Sequence, residues 1–266
     1  MKLRLYLLVL ILFLVVMSGC SVSTNFAPKK VASAYSEECI EVEYPLYIDI
    51  SSDSGNINIF SWNRDEVKFE ITKKIRGIQS KEELTKMLEN FNIITEKNGK
   101  RVVFSSVYQG SAKNPSDKSV DVRVYIPKKV DSIDIKLDTG TIKFFDDIRS
   151  EVNLNVDSVN VDINKLIGKV ILVADMGNLR ISGGKLESGS SVKTNFGNIS
   201  VKAELEESGE YYFGTNIGSI DLSLPEGTEL EVEAKGSIRS NEFEQCFSGA
   251  KIKLESKMGD ISLMRY

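Results

Sequence analysis

A chain of 266 residues, 41% hydrophobic and 27% charged, carries enough apolar material for a core of ordinary size and is not a disordered sequence. Its 34 Lys and Arg against 38 Asp and Glu give a net charge of -4 with both signs mixed along the chain, which excludes an electrostatic footprint for nucleic acid. Histidine is absent, which removes the usual neutral-pH general base, the Ser/His and Cys/His nucleophile pairs and the commonest transition-metal ligand.

The first stretch, MKLRLYLLVLILFLVVMSGC, opens with Lys2 and Arg4, runs apolar from Leu5 to Met17 and closes with Ser18 and Gly19 before Cys20. That is the layout of a secretion signal. An apolar run of about 13 residues is too short for a spanning helix, which needs roughly 20. The Ser18-Gly19-Cys20 ending resembles the lipobox of bacterial lipoproteins, with Met17 where leucine is usual. The resemblance implies cleavage before Cys20 and diacylation of its thiol, the palmitate-type modification that holds a protein stably on a bilayer when two chains are present. Residues 1–19 are therefore expected to be a signal peptide. Residues 20–39, small and polar, are expected to be the lipidated Cys20 and its tether. The folded part then stands at the extracytoplasmic face of the cell membrane. Cys39 and Cys246 complete the cysteine count, an even number where disulfides persist. Whether they pair is left open, since one precedes the first strand and the other lies far along the chain.

Residues 40–130 carry one copy of a short sentence, DSGNINI, with Gly55, Ile57 and Ile59 in phase. SKEELTKMLENF then reads as an amphipathic helix opened by a capping box, Ser80 with Glu83, with Leu84, Met87, Leu88 and Phe91 on one face. Strands lie on either side of Asn98-Gly99, a hairpin signal, and again in SVDVRVYIPKKV after a polar loop. The region is expected to be a β cap with one helix, covering the first strand of the repeats that begin near residue 131.

From 131 to 266 the sentence returns: DTGTIKF, DMGNLRI, NFGNISV, NIGSIDL and KMGDISL. Aligned on Gly140, Val159 in a glycine's place, Gly177, Gly197, Gly218, Gly236 and Gly259, the copies recur every 18 to 23 residues. Two places after each comes an aliphatic residue (Ile142, Val161, Leu179, Ile199, Ile220, Ile238, Ile261), and the alternation of period 2 means strand. A period of about 20 residues points to a repeat architecture. The expected fold is all-β, a parallel β-solenoid of about seven coils behind the N-terminal cap. Glycine supplies the turn, and Asp138, Asp157, Asp175, Asn195 and Asn216 two places earlier are expected to cap turn amides. Stacked Asp side chains raise calcium as an alternative, but the spacing and the two asparagines disfavour it, and no metal or cofactor is expected. The outward column three places after each glycine position, Lys143, Asp162, Arg180, Ser200, Asp221, Arg239 and Ser262, is expected to form a structural charge ladder, with Asp221 facing Arg239.

This order, a helix-bearing β segment, a strand ending in Ile126-Pro127 and then successive DxGxI copies, resembles the exported bacterial β-solenoid family named putative adhesin. The resemblance covers roughly residues 40–266 and implies a fold and a surface-binding role, with no binding residue to carry over. The expected function is a membrane-anchored binding or scaffold protein, its partners the membrane through the N-terminal lipid and a cell-wall glycan or an envelope protein. An envelope sensor acting through a membrane partner is the alternative. A β-helix polysaccharide-active enzyme is disfavoured, because repeats this short leave no loops to enclose a substrate and the adjacent Asp146 and Asp147 would point apart. No catalytic residue is nominated; Cys20 is the one modified site expected.

Overall fold

The computed structural model describes residues 28–111, 116–244, 246 and 248–266. Cys20, the expected signal peptide and the start of the tether lie outside them. No helix among the described residues is long and apolar enough to cross a membrane.

The first strands are β1 (Lys30–Glu41), β2 (Tyr47–Trp62) and β3 (Glu66–Gly77). Strand β2 is 16 residues long with its alternate side chains Ile48, Ile50, Ile57 and Ile59 buried. Helix α1 (Lys81–Met87) begins where its capping box requires. Ser80 Oγ accepts from Glu83 N at 3.1 Å and the Glu83 carboxylate accepts from Ser80 N at 3.0 Å, which satisfies two amides that the first turn leaves unbonded. Strands β4 (Phe91–Asn98) and β5 (Arg101–Tyr108) form the hairpin closed by Asn98-Gly99, and β6 (Asp117–Pro127) comes next. Strand β5 pairs with the first half of β2 and β6 with its second half. On its other side, β3 pairs antiparallel with both β1 and β6.

The repeats supply β7 (Ser132–Arg149), β8 (Glu151–Gly168), β9 (Val170–Met176), β10 (Leu179–Ile181), β11 (Gly184–Leu186), β12 (Ser191–Phe196), β13 (Ile199–Lys202), β14 (Glu204–Leu205), β15 (Glu210–Ile217), β16 (Ile220–Leu224), β17 (Leu230–Asn241) and β18 (Ala250–Arg265). Neighbouring repeats pair parallel with the aligned columns in register: Ile142 with Val161, Val161 with Leu179, Leu179 with Ile199, Ile199 with Ile220 and Ile220 with Ile261. Two departures from sequence order occur. Strand β2 lies directly beside β7, Gly55 opposite Gly140, across a gap of 85 residues. Strand β18 lies beside β15 and β16, with β17 paired along it.

The expected solenoid is corrected by this arrangement. Strands β2, β7, β8 and β18 run 16 to 18 residues through the repeat position without a break, and all 18 strands belong to one hydrogen-bonded sheet. The strands bend at the repeat position, so the halves before and after it face a common core. The wall closes as an eight-stranded parallel β-barrel with further strands laid outside it, in place of separate coils. Period-2 alternation marks which side chains face inward but carries no information on whether the sheet is cut into faces or closed.

The repeat glycine is dictated by close approach as well as by its turn. Gly140 has φ +147° and Gly197 +155°, and a Cβ on either would lie 1.7 Å from Gly55 O or 1.9 Å from Gly177 O. At Val159 the backbone avoids positive φ and the side chain is buried. Capping also differs from expectation. The amides after the glycines are served by the preceding repeat: Asn178 N donates to Asn160 Oδ1 at 2.9 Å, Asn198 N to Asn178 Oδ1 at 2.8 Å and Ser219 N to Asn198 Oδ1 at 2.8 Å. The residues two places before the glycines bond one another instead, Asn195 Nδ2 donating to Asp175 Oδ1 and Asn216 Nδ2 to Asn195 Oδ1, both at 2.8 Å. In the outward charge column Lys143 Nζ lies 3.6 Å from Asp162 Oδ2. Arg180 sits opposite Asp162, but Asp221 faces Ser262 and not Arg239, because β18 takes the place beside β16.

Candidate functional site: an aromatic row on the outer wall

Cys39, exposed, and Cys246, half-buried, are both free thiols. Cys246 Sγ lies 3.1 Å from Ser248 Oγ and 3.5 Å from Glu229 Oε2. No group of three or more Cys, Asp or Glu among the described residues is arranged to hold a metal ion. Asp146 and Asp147 serve different partners: Asp146 Oδ2 accepts from Ser61 N at 2.8 Å, and Asp147 Oδ2 lies 3.1 Å from Lys165 Nζ. A register shift between Phe144 and Asp147 separates them, as a bulge re-aims the side chains it carries.

That bulge lies next to the largest cluster of rings on the outer wall. Phe60 on β2 is opposite Tyr125 on β6, and Phe145 on β7 lies on its other side. Alternation turns Ile59 and Phe144 into the core, so their successors Phe60 and Phe145 face out. The rings stack. Phe60 and Phe145 have centroids 4.6 Å apart and planes 7° apart; for Phe60 and Tyr125 the values are 5.2 Å and 21°. Trp62 extends the row, 5.4 Å from Tyr125, its Nε1 donating to Glu66 O at 2.8 Å. Phe145, at the other end, is 41% exposed, which leaves a hydrophobic surface unburied at the end of the stack.

Charges rim the row. The Arg64 guanidinium lies 4.9 Å from the Trp62 ring centre, Lys143 Nζ 5.1 Å from that of Phe145 and Lys68 Nζ 5.8 Å from that of Tyr125. Lys68 is held between Glu70 and Glu37, at 3.0 Å from each, and these hydrogen bonds push its ammonium pKa above the usual lysine range. Glu37 is in turn held below the ordinary carboxylate range by its hydrogen bond with Lys68. Tyr125 donates to Glu70 at 3.4 Å. The arrangement offers ring edges, one exposed ring end and fixed charges, the equipment of a binding surface.

A second surface feature is an open depression of about 460 Å³ lined by Ser191, Tyr212, Glu233 and Lys253 among others. Tyr212 donates to Glu255 Oε2 at 2.8 Å; burial and this bond push its hydroxyl up to about 12. The same bond, with those of Lys253 and Lys235, brings Glu255 down to about 2. Tyr212, Glu233 and Lys253 are thus already engaged with Glu255 and Lys235, which leaves the aromatic row as the stronger candidate.

None of the row stands out in the sequence. The glycine alignment held part of it, since Phe60 and Phe145 each stand five places after Gly55 and Gly140. Tyr125 was out of reach, because β6 is no copy of the repeat and its neighbour is set only by folding.

No protein-family model matches the chain, and no curated protein does. Among solved structures it is similar to a putative adhesin from Parabacteroides distasonis (14% identity, 86% of this chain and 97% of that one, TM-score 0.47). It is similar also to a putative adhesin from Bacteroides fragilis (16% identity, 87% and 97%, TM-score 0.41). A third is a putative cell adhesion protein from Clostridium sporogenes (14%, 88% and 100%, TM-score 0.29). These structural neighbours are bacterial proteins, and likeness at this level leaves the partner of this chain to be argued from its own residues.

Proposed function

We propose that this protein is a lipoprotein of the extracytoplasmic membrane face, anchored through Cys20, that acts by binding rather than catalysis and presents its aromatic row to a glycan of the cell envelope. The observation that carries the reading is the row Trp62, Tyr125, Phe60 and Phe145, rimmed by Arg64, Lys68 and Lys143 on a rigid sheet. A sugar ring has C–H faces that pack on aromatic carbon and hydroxyls that need fixed donors and acceptors beside it. The charged rim supplies those.

Sedimentation of the full-length chain with purified cell-wall glycan tests the reading. Phe145→Ala and Trp62→Ala are each expected to weaken binding about tenfold, with the melting temperature changed far less by Phe145→Ala because that ring is partly exposed. Unchanged binding in both variants overturns the assignment of the row. Anchoring is tested apart from it: a palmitate analogue should label the wild type, and Cys20→Ala should abolish the label and accumulate precursor.

A further inference from the structure

The residue before each repeat glycine points outward at the bend. In the four copies at Gly177, Gly197, Gly218 and Gly259, which lie side by side in the sheet, this position carries a large apolar side chain: Met176, Phe196, Ile217 and Met258 are 50, 52, 42 and 65% exposed. The register places them side by side, Met176 opposite Phe196, Phe196 opposite Ile217 and Ile217 opposite Met258. Adjacent strands are about 4.8 Å apart, so the four form one stripe about 14 Å long between its end residues. Apolar residues scattered singly on a surface need no explanation, whereas a contiguous row of four does.

The neighbouring column says what covers it. One place earlier in each repeat stand Asp175, Asn195, Asn216 and Lys257: negative at one end, neutral in the middle, positive at the other. Among the described residues Lys257 makes no ion pair, and Asp175 bonds only the neutral Asn195. The sequence of charges is its own complement when reversed. A two-fold axis lying across the stripe, midway between Phe196 and Ile217, brings Met176 against Met258 of a second copy and Phe196 against Ile217. It also sets Asp175 against Lys257 at both ends, with Asn195 facing Asn216. An anionic membrane would meet a carboxylate at one end of the stripe, and a parallel second copy would set like charges together. We infer that this stripe is an isologous contact through which two copies of the chain associate antiparallel. It is narrower than the roughly 800 Å² per partner of a standard stable interface, so the association is in the micromolar range or weaker.

The test uses the full-length chain with Cys39→Ser and Cys246→Ser and two distinguishable tags. One population carries Met176→Cys and the other Met258→Cys. A bismaleimide of about 8 Å span should join the two populations at least tenfold more than it joins Met176→Cys to itself, because the axis holds same-residue pairs about 14 Å apart. Chains without an added cysteine give the background from Cys20. Asp175→Lys should weaken association about tenfold, as should Lys257→Asp, and the double variant should restore it. Both positions are exposed, and an unchanged melt confirms folding. Equal cross-linking of like and unlike pairs overturns the inference, as does failure of the double variant to recover. So does an absence of cross-linking accompanied by loss of phosphatidylcholine vesicle binding in Phe196→Asp, which would make the stripe a lipid contact.

Discussion

The bend reverses its polarity halfway along the barrel wall. In β7, β8 and β9 the inward residue three places before the repeat position is Leu137, Val156 or Ala174, and in β7 and β8 the outward residue next to it is Thr139 or Ser158. In β12, β15 and β18 the inward position holds Thr194, Thr215 or Ser256, all buried, and the outward one Phe196, Ile217 or Met258. Thr215 Oγ1 donates to Gly197 O at 3.0 Å and Ser256 Oγ to Gly218 O at 2.9 Å, so two of the three buried hydroxyls bond glycine carbonyls of the neighbouring repeat, while Thr194 Oγ1 has no partner among the described residues. The acidic column divides at nearly the same place: Asp53, Asp138, Asp157 and Asp175 give way to Asn195, Asn216 and Lys257. One strand register thus supports two chemistries. In the first half stacked carboxylates repel; in the second, amides bond along the stack.

The test with the largest expected effect asks whether stacking between repeats, common to both halves, is what fixes the glycines. Gly197→Ala puts a Cβ 1.9 Å from Gly177 O at a φ that L side chains rarely adopt, and is expected to cost about 3 kcal/mol or more. Gly99→Ala, in the hairpin where nothing lies within 4 Å, should cost about 1 kcal/mol. Equal losses in denaturant melts would show that strain, and not stacking, fixes the glycines. A smaller effect is expected from carrying the first half's chemistry into the second. Asn195→Asp replaces the hydrogen bond donated to Asp175 at 2.8 Å by repulsion from it, while an oxygen remains to accept from Asn216 Nδ2, a net loss of about 1 to 2 kcal/mol that shrinks as salt is added. The smallest effect should come from pH. Burial and then the charges of Asp157 and Asp53 raise the pKa of Asp138. A carboxyl whose folded pKa lies above its unfolded one contributes stability that is present below the unfolded value and lost as pH rises through the folded one. Asp138→Asn should therefore melt with the wild type in acid and above it once pH passes the ordinary aspartate range; a constant offset across pH would remove the carboxylate stack as the cause.

Much of this was legible in the sequence and for a plain reason. A residue column that must stack on itself repeats its chemistry, so the glycine spacing gave the register from Ile142 to Ile220, and the capping box gave α1 from Ser80 and Glu83 alone. Pairings between strands far apart were not legible. Nothing in the repeat says that β18 and not β17 sits beside β16, because both carry an acceptable glycine and an isoleucine two places on. The outward residues Met176, Phe196, Ile217 and Met258 do not stand out in sequence, because the other copies carry Thr139, Ser158 and Lys235 at that position and the column is not uniformly apolar. The closure of the wall depends on how the bends add up over many strands, which no single repeat encodes.

The placement of β18 between β16 and β17 governs the order of assembly. Strand β17 emerges before β18 and pairs along its length with it, so it waits until the later residues are made. Strand β2 likewise waits for β7, 85 residues later. Contacts this distant in sequence are slow to form, since loop closure must precede any reward from pairing. Until β18 and β7 arrive, β17 lacks its partner along its whole length and β2 lacks the neighbour on one flank. Docking of β18 thus completes two flanks of the wall in one step, β15 and β16 on one side and β17 on the other.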